Sequence, residues 1–230
     1  NVTAGNVSIL NVVITNFYDG TDLNTINYTT GFCRIAENAT ISSVKIKNNK
    51  ITNTRAFVFA GALTDDYNPD TTIIINDLLV TGNIFNSTPL PINFNCPVVN
   101  SKVTENTFKN VIGASRTVAA VRIFVDGLVF NSPIYDTLEN CVVSNNNFHT
   151  VINRTTTGDS STGNNYECHA VQVSANNATV TGNTITDVTG VNFDCEAIYV
   201  KAKRYTITGN TLYNSGSIEG AINCKGTTLT

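Results

Sequence analysis

The sequence predicts an all-β fold, a right-handed parallel β-helix of about seven coils. Three observations predict it: a short motif that returns along the chain, apolar–polar alternation at strand period around each copy, and a composition in which amides and hydroxyls stand where charges usually do. The clearest repeat sets residues 167–187 (ECHAVQVSANNATVTGNTITD) against 194–214 (DCEAIYVKAKRYTITGNTLYN), identical at nine of twenty-one positions without a gap. A third copy, IEGAINCKGTT, begins at Ile218.

With V-T-G-N-T-I as a ruler, related segments fall at ILNVVI (9–14), ISSVKI (41–46), VTGNIF (80–85), VTENTF (103–108), VSNNNF (143–148), VTGNTI (180–185) and ITGNTL (207–212). The anchor position is therefore expected at 12, 44, 83, 106, 146, 183 and 210, with Val12 and Val44 where the other copies carry Asn. Spacings of 32, 39, 23, 40, 37 and 27 residues read as a minimal coil of 23 residues enlarged by variable loops. Val171 and Val173, Ile198 and Val200, and Val180 and Ile185 around the Gly-Asn turn keep the period of a strand. The uneven period and the absence of regular leucines or blade signatures exclude leucine-rich repeats, propellers and hexapeptide helices. Stacked parallel coils remain, spaced ~4.8 Å apart. Parallel crossovers are right-handed, which sets the hand. An anchor Asn is expected to take the left-handed conformation at the corner and to ladder with its neighbours.

Composition narrows the function classes. Charged residues make up 13% of the 230 positions, against roughly 25% in typical globular domains. Asn and Thr supply 34 residues each, and the mean hydropathy is zero. The chain is too apolar for intrinsic disorder, and no apolar run reaches the ~20 residues of a membrane helix. Basic residues are neither clustered nor in excess, which argues against nucleic acid. Residues 1–230 read as one domain. The start at Asn1 without a visible signal peptide, and the stop after a strand-like run, read as a piece of a longer protein.

Six cysteines are even in number, but Cys33, Cys96, Cys141 and Cys224 share strand parity with apolar neighbours and read as core thiols. Cys168 and Cys195 occupy equivalent corner positions, where parity does not place them. No C-x-x-C pair occurs and there are two histidines, so neither a metal site nor another cofactor is expected. Seven Asn-x-Ser/Thr sequons are discounted, because Asn and Thr at this abundance produce several by chance.

The N-x-I-x-[ND] pattern after V-T-G resembles the right-handed β-helix repeat of pectin lyases, NosD-like carbohydrate-binding proteins and phage tailspikes. The resemblance covers nearly the whole chain and implies carbohydrate as the partner class, a fold-level analogy.

Chemistry is sought on the coil faces and in the insertions 18–30, 64–72 and 153–165. Glu167 and Asp194 hold equivalent positions on adjacent coils, and His169 and Glu196 do so two residues later. Carboxylates stacked ~5 Å apart raise one pKa, as acid/base hydrolysis of a sugar polymer needs. Glu167, Asp194 and Glu196 are thus the candidate catalytic residues, with Glu219 extending the strip. Tyr199 lies between inward-facing Ile198 and Val200 and aligns with Gln172 and Asn223. Together with Lys201 and His169, these form a candidate sugar-binding column. The Asp65, Asp66, Asp70 loop and the Asp19, Asp22 pair are weaker candidates. The N-T-D, D-D, G-H-G order of polygalacturonase-like enzymes is absent apart from one D-D.

The leading expectation is a tailspike-like receptor-binding protein, homotrimeric, located at the virion tail or outside the cell, that binds and in some cases cleaves host polysaccharide. The alternatives are a stand-alone bacterial polysaccharide lyase or hydrolase, and a non-catalytic spacer or adhesin.

Overall fold

The computed structural model describes residues 2–16, 31–54, 56–60, 71–113, 117–125, 132–154, 167–190, 195–215 and 220–226. In chain order the strands are β1 (Val2–Leu10), β2 (Val13–Thr15), β3 (Gly31–Lys47), β4 (Lys50–Thr52), β5 (Ala56–Ala60) and β6 (Ile74–Thr81). There follow β7 (Ile84–Asn86), β8 (Leu90–Phe94), β9 (Val98–Thr104), β10 (Thr107–Gly113) and β11 (Thr117–Ile123). After one helical turn, α1 (Pro133–Thr137), come β12 (Asn140–Ser144), β13 (Asn147–Asn153), β14 (Glu167–Thr181) and β15 (Thr184–Gly190). The last three strands are β16 (Cys195–Thr208), β17 (Thr211–Ser215) and β18 (Ile222–Lys225).

Every pairing is parallel, and the strands sort into three sheets. The first runs β3–β5–β8–β11–β14–β16–β18. The second runs β1–β3–β6–β9–β12–β14–β16. The third runs β2–β4–β7–β10–β13–β15–β17. Strands β3, β14 and β16 pass through the corner between the first two sheets, which therefore share one hydrogen-bonded surface. Each sheet has seven strand positions among the described residues, so the fold is an all-β parallel β-helix of seven coils.

The sharpest corner joins the second sheet to the third. Asn49, Asn83, Asn106, Asn146, Asn183 and Asn210 form a continuous ladder there. From Asn83 onward each Oδ1 accepts from the backbone N–H and the side-chain Nδ2 of the Asn one coil earlier, as where Asn106 Oδ1 accepts from Asn83 N at 2.9 Å and Nδ2 at 2.8 Å. The same Nδ2 groups donate to buried carbonyls, Asn106 to Val80 O at 3.0 Å and Asn146 to Val103 O at 3.0 Å. The steps between Asn83, Asn106, Asn146, Asn183 and Asn210 are 23, 40, 37 and 27 residues, as the ruler expects.

Two details of the expected corner are corrected. The second anchor is Asn49, not Val44: Asn49 N donates to Asn83 Oδ1 at 2.9 Å, and Val12 N donates to Asn49 Oδ1 at 2.9 Å. Val44 pairs with Val7 and Leu78 in the core of the second sheet. Alternation is the same all along a strand, so ISSVKI mimicked the motif one stretch early; the true copy is IKNNKI at 46–51. Secondly, the left-handed residue is not the anchor but the one before it: Asn11, Asn48, Gly82, Glu105, Asn145, Gly182 and Gly209 all have positive φ. A second left-handed column stands four residues after the anchor, at Asn16, Asn53, Ser87, Asn110, Thr150, Asp187 and Asn214. It accounts for the last position of the N-x-I-x-[ND] pattern.

Gly182 shows what the corner requires. Its φ is +65°, and a Cβ there would lie 2.5 Å from Asn145 Oδ1. Gly182→Ala is expected to lower the urea midpoint by the equivalent of ~1–2 kcal/mol, the cost of a left-handed alanine. Gly182→Asn should lose less, since Asn145 already fills that place one coil earlier with φ 55°.

The interior is a set of stacked columns. In the third sheet Ile14, Ile51, Phe85, Phe108, Phe148, Ile185 and Leu212 are in register. Phe85, Phe108 and Phe148 stack nearly parallel, with centroids 5.1 and 4.9 Å apart. The six cysteines are free thiols. Cys96, Cys141, Cys168 and Cys195 are buried in the core, and Cys33 and Cys224 pack against it half-buried. Cys168 and Cys195 face each other in register. Burial, then the neighbouring Cys195 thiol, pushes the Cys168 pKa well up.

Candidate functional site

The site lies on the outer side of the first sheet, across β8, β11, β14, β16 and β18. On β14 the residues Cys168, Ala170, Val171, Val173 and Ala175 belong to the core, so His169, Gln172 and Ser174 between them point away from the coil interior. The register sets Arg122, Gln172, Tyr199 and Asn223 in one column and His169 beside Glu196 in another. Outward side chains on a solenoid are usually wet. Here Asn93, Arg122, His169, Gln172, Ser174 and Glu196 are each at most 3% exposed.

A charged network joins them. Arg122 Nη1 donates to Asn93 Oδ1 at 3.0 Å and Arg122 Nε to Gln172 Oε1 at 2.9 Å. Gln172 Nε2 donates in turn to Glu167 Oε2 at 2.7 Å. His169 stands between two carboxylates, with Nε2 3.6 Å from Glu167 Oε2 and Nδ1 3.1 Å from Glu196 Oε2. These are charge contacts: neither ring nitrogen is aligned for a hydrogen bond. Asn223 Nδ2 completes the chain by donating to Glu196 Oε1 at 3.0 Å. Two formal positive charges, Arg122 and His169, balance two negative ones.

Proton affinities follow from this geometry. For His169, burial favours the neutral ring, but the Glu167 and Glu196 carboxylates outweigh it and raise the pKa to about 9. For Glu167, burial pushes up and His169, Arg122 and Gln172 together pull the carboxyl below its usual range. For Glu196, burial pushes up and His169 and Asn223 pull below. At neutral pH the site therefore holds an imidazolium between two carboxylates.

The rim of the site is partly open. Glu167, Tyr199 and Asn223 are half-buried and Lys225 is exposed. The Tyr199 ring meets Phe124 edge-on at 5.4 Å and His169 at 5.5 Å, with Lys225 Nζ 5.4 Å from its centroid. Burial pushes the Tyr199 phenol up. The helical turn α1 is started by Ser132, whose Oγ accepts from Tyr135 N at 3.2 Å, and by Pro133 in its first turn. It docks on the strands beyond the site. Tyr135 Oη donates to Ala175 O at 2.9 Å, with Lys201 O at 3.3 Å, and Lys203 Nζ meets Asp136 Oδ1 at 2.5 Å. Val125, Tyr135 and Leu138 form a small apolar cluster apart from the main core.

Of the residues singled out in the sequence, Glu167, His169, Gln172, Glu196, Tyr199 and Asn223 come together. Lys201 pairs with Ser174 and Lys225 in the adjacent column, and its backbone carbonyl meets Tyr135. Asp194 and Glu219 lie outside the described residues, as do Asp19, Asp22, Asp65, Asp66, Asp70 and most of the three insertions. Sequence reasoning missed Arg122, Asn93, Phe124 and Lys225. For Arg122 a signal existed: it is the single charge in the apolar run VAAVRIFV (118–125), and a buried arginine needs partners.

Among the described residues no group of three or more His, Cys, Asp or Glu is placed to hold a metal ion, and no helix is long and apolar enough to cross a membrane. The fold and site thus define a class, a parallel β-helix with a buried charged network on one outer face. Compared with protein-family models, curated proteins and solved structures, the chain has no match.

Proposed function

We propose that the chain is part of a phage-tailspike-like receptor-binding protein, a homotrimeric β-helical rod at the virion tail or outside the cell that recognises host cell-surface polysaccharide. One observation carries this: the partly exposed row of Glu167, Tyr199, Asn223 and Lys225, held on the outside of a rigid sheet by a buried, charge-balanced network. An aromatic ring beside carboxylate, amide and ammonium groups suits sugar rings and hydroxyls, and its preorganisation limits the ordering cost of binding. The ionisation of Glu167 and Glu196 favours recognition over cleavage at these two groups, because glycoside hydrolysis needs one carboxyl protonated at working pH.

The test is calorimetric titration with surface polysaccharides from a panel of bacteria. Tyr199→Ala is expected to weaken binding by about tenfold or more, equivalent to ~1.4 kcal/mol. Unchanged affinity would move recognition off this face. Release of reducing sugar that is abolished by Glu167→Gln would favour a lyase or hydrolase, and a monomeric mass with no binding across the panel would favour a spacer.

A further inference from the structure

The outer side of the second sheet carries a shallow groove of about 530 Å³, remote in register from the network above. Two columns line it. Lys45, Leu79 and Lys102 are in register on β3, β6 and β9, and Asp77, Asn100 and Asn140 are in register on β6, β9 and β12. All alternate with core residues such as Val44, Ile46, Leu78 and Val80, so they face outward. Lys45 and Lys102 are exposed and have no ion-pair partner among the described residues. They stand two coils apart, ~10 Å between backbones, with Leu79 as an apolar floor between them. Asn140 Nδ2 donates to Asn100 Oδ1 at 3.1 Å, and Asn100 Nδ2 is left to donate outward.

We propose that this groove is a second carbohydrate site, for a sugar unit that bears a carboxylate. The carboxylate lies between the Lys45 and Lys102 ammonium groups, the apolar edge of the ring covers Leu79, and hydroxyls meet Asn100 and the Asp77 carboxylate. Asp77 sets the selectivity. It accepts hydroxyl protons but repels a polymer that is negative at every unit, which separates a mixed acidic glycan from a nucleic acid backbone. The ligand class rests on the polysaccharide reading; the location does not, since the residues belong to a different sheet.

The experiment titrates the intact chain with an oligosaccharide containing glucuronic acid and with a neutral one of the same length, following backbone amide shifts by NMR. The acidic oligosaccharide is expected to shift the amides around Leu79 and Lys102 and to bind at least about tenfold tighter than the neutral one. Lys45→Gln and Lys102→Gln should each remove most of that preference without changing the melting temperature, and Tyr199→Ala should leave it intact. Equal affinity for the two sugars overturns the proposal. So does a preference that is lost with Tyr199→Ala but kept in both lysine variants, which would assign the acid to the first sheet. If the lysine variants alone lose binding and Tyr199→Ala changes affinity for no polysaccharide, this site stands and the one on the first sheet falls.

Discussion

His169→Leu is expected to destabilise the fold by about 3–5 kcal/mol at neutral pH, the usual cost of removing one member of a buried ion pair. His169 and Glu196 are each 1% exposed, and Glu167 is 20% exposed. Leucine fills similar space but leaves two carboxylates facing a vacated charge, with Arg122 as the remaining cation of the network. Urea denaturation followed by circular dichroism measures the loss.

A pH series separates this charge effect from a packing effect. The folded pKa of His169, about 9, lies above its ordinary 6.5, so the protonated ring contributes its full stability below pH 6.5 and loses it as the pH rises through about 9. Glu167 and Glu196 are shifted the other way. Their contribution is present above the ordinary 4.5 and is lost as the pH falls through their lowered values. The wild-type chain should therefore be most stable between about pH 4.5 and 6.5 and decline toward pH 9. In His169→Leu the alkaline decline should vanish. An unchanged alkaline limb would show that the imidazolium contributes nothing.

Asn106→Val should cost about 3–6 kcal/mol, on the basis of ~1–3 kcal/mol for each buried polar group left unpaired. Asn106 sits in the middle of the ladder. Its Oδ1 accepts from Asn83 N and Nδ2, and its Nδ2 serves Val80 O, Thr104 O and Asn146 Oδ1. Valine satisfies none of these. Val12 is tolerated at the same position because it stands at the ladder's first step, where its backbone N–H donates to Asn49 and no earlier Asn in the ladder calls on its side chain. Asn210→Val, at the other described end, should cost clearly less. Comparable losses at both positions would mean the ladder contributes no more in the middle than at its margin.

The repeat was legible because the same physics acts at every coil. A corner that needs a left-handed residue followed by a self-pairing amide leaves G-N or N-N in the sequence at five of the seven coils, with Glu105–Asn106 and Asn11–Val12 at the other two, and a stacked interior leaves the Phe85, Phe108, Phe148 column. Before Asn48–Asn49 a well-alternating strand carries the same apolar spacing, and alternation alone points to Val44. The column of Gln172, Tyr199 and Asn223, and the His169–Glu196 pair, were also readable, because two coils of nearly equal length align without a gap. Arg122 stands out as a lone charge in an apolar run, but its partners, Asn93 among them, were not readable. Both residues join the network from coils whose loops differ in length, so the connection shows only in the strand register and in the hydrogen bonds that Arg122 donates to Gln172 and Asn93.

By itself the sequence determined the architecture: its periodic Asn, its alternating β-branched residues and its scarcity of charge admit stacked parallel coils, where like charges on successive rungs would repel and amides can pair. The tertiary structure decided which outward side chains are buried, and with that their chemistry. A strand pattern states only that His169, Glu196 and Arg122 point away from the core. Whether such a group is solvated or desolvated, and hence whether its neighbours hold or release its proton, depends on segments far away in the chain that period-two alternation does not encode.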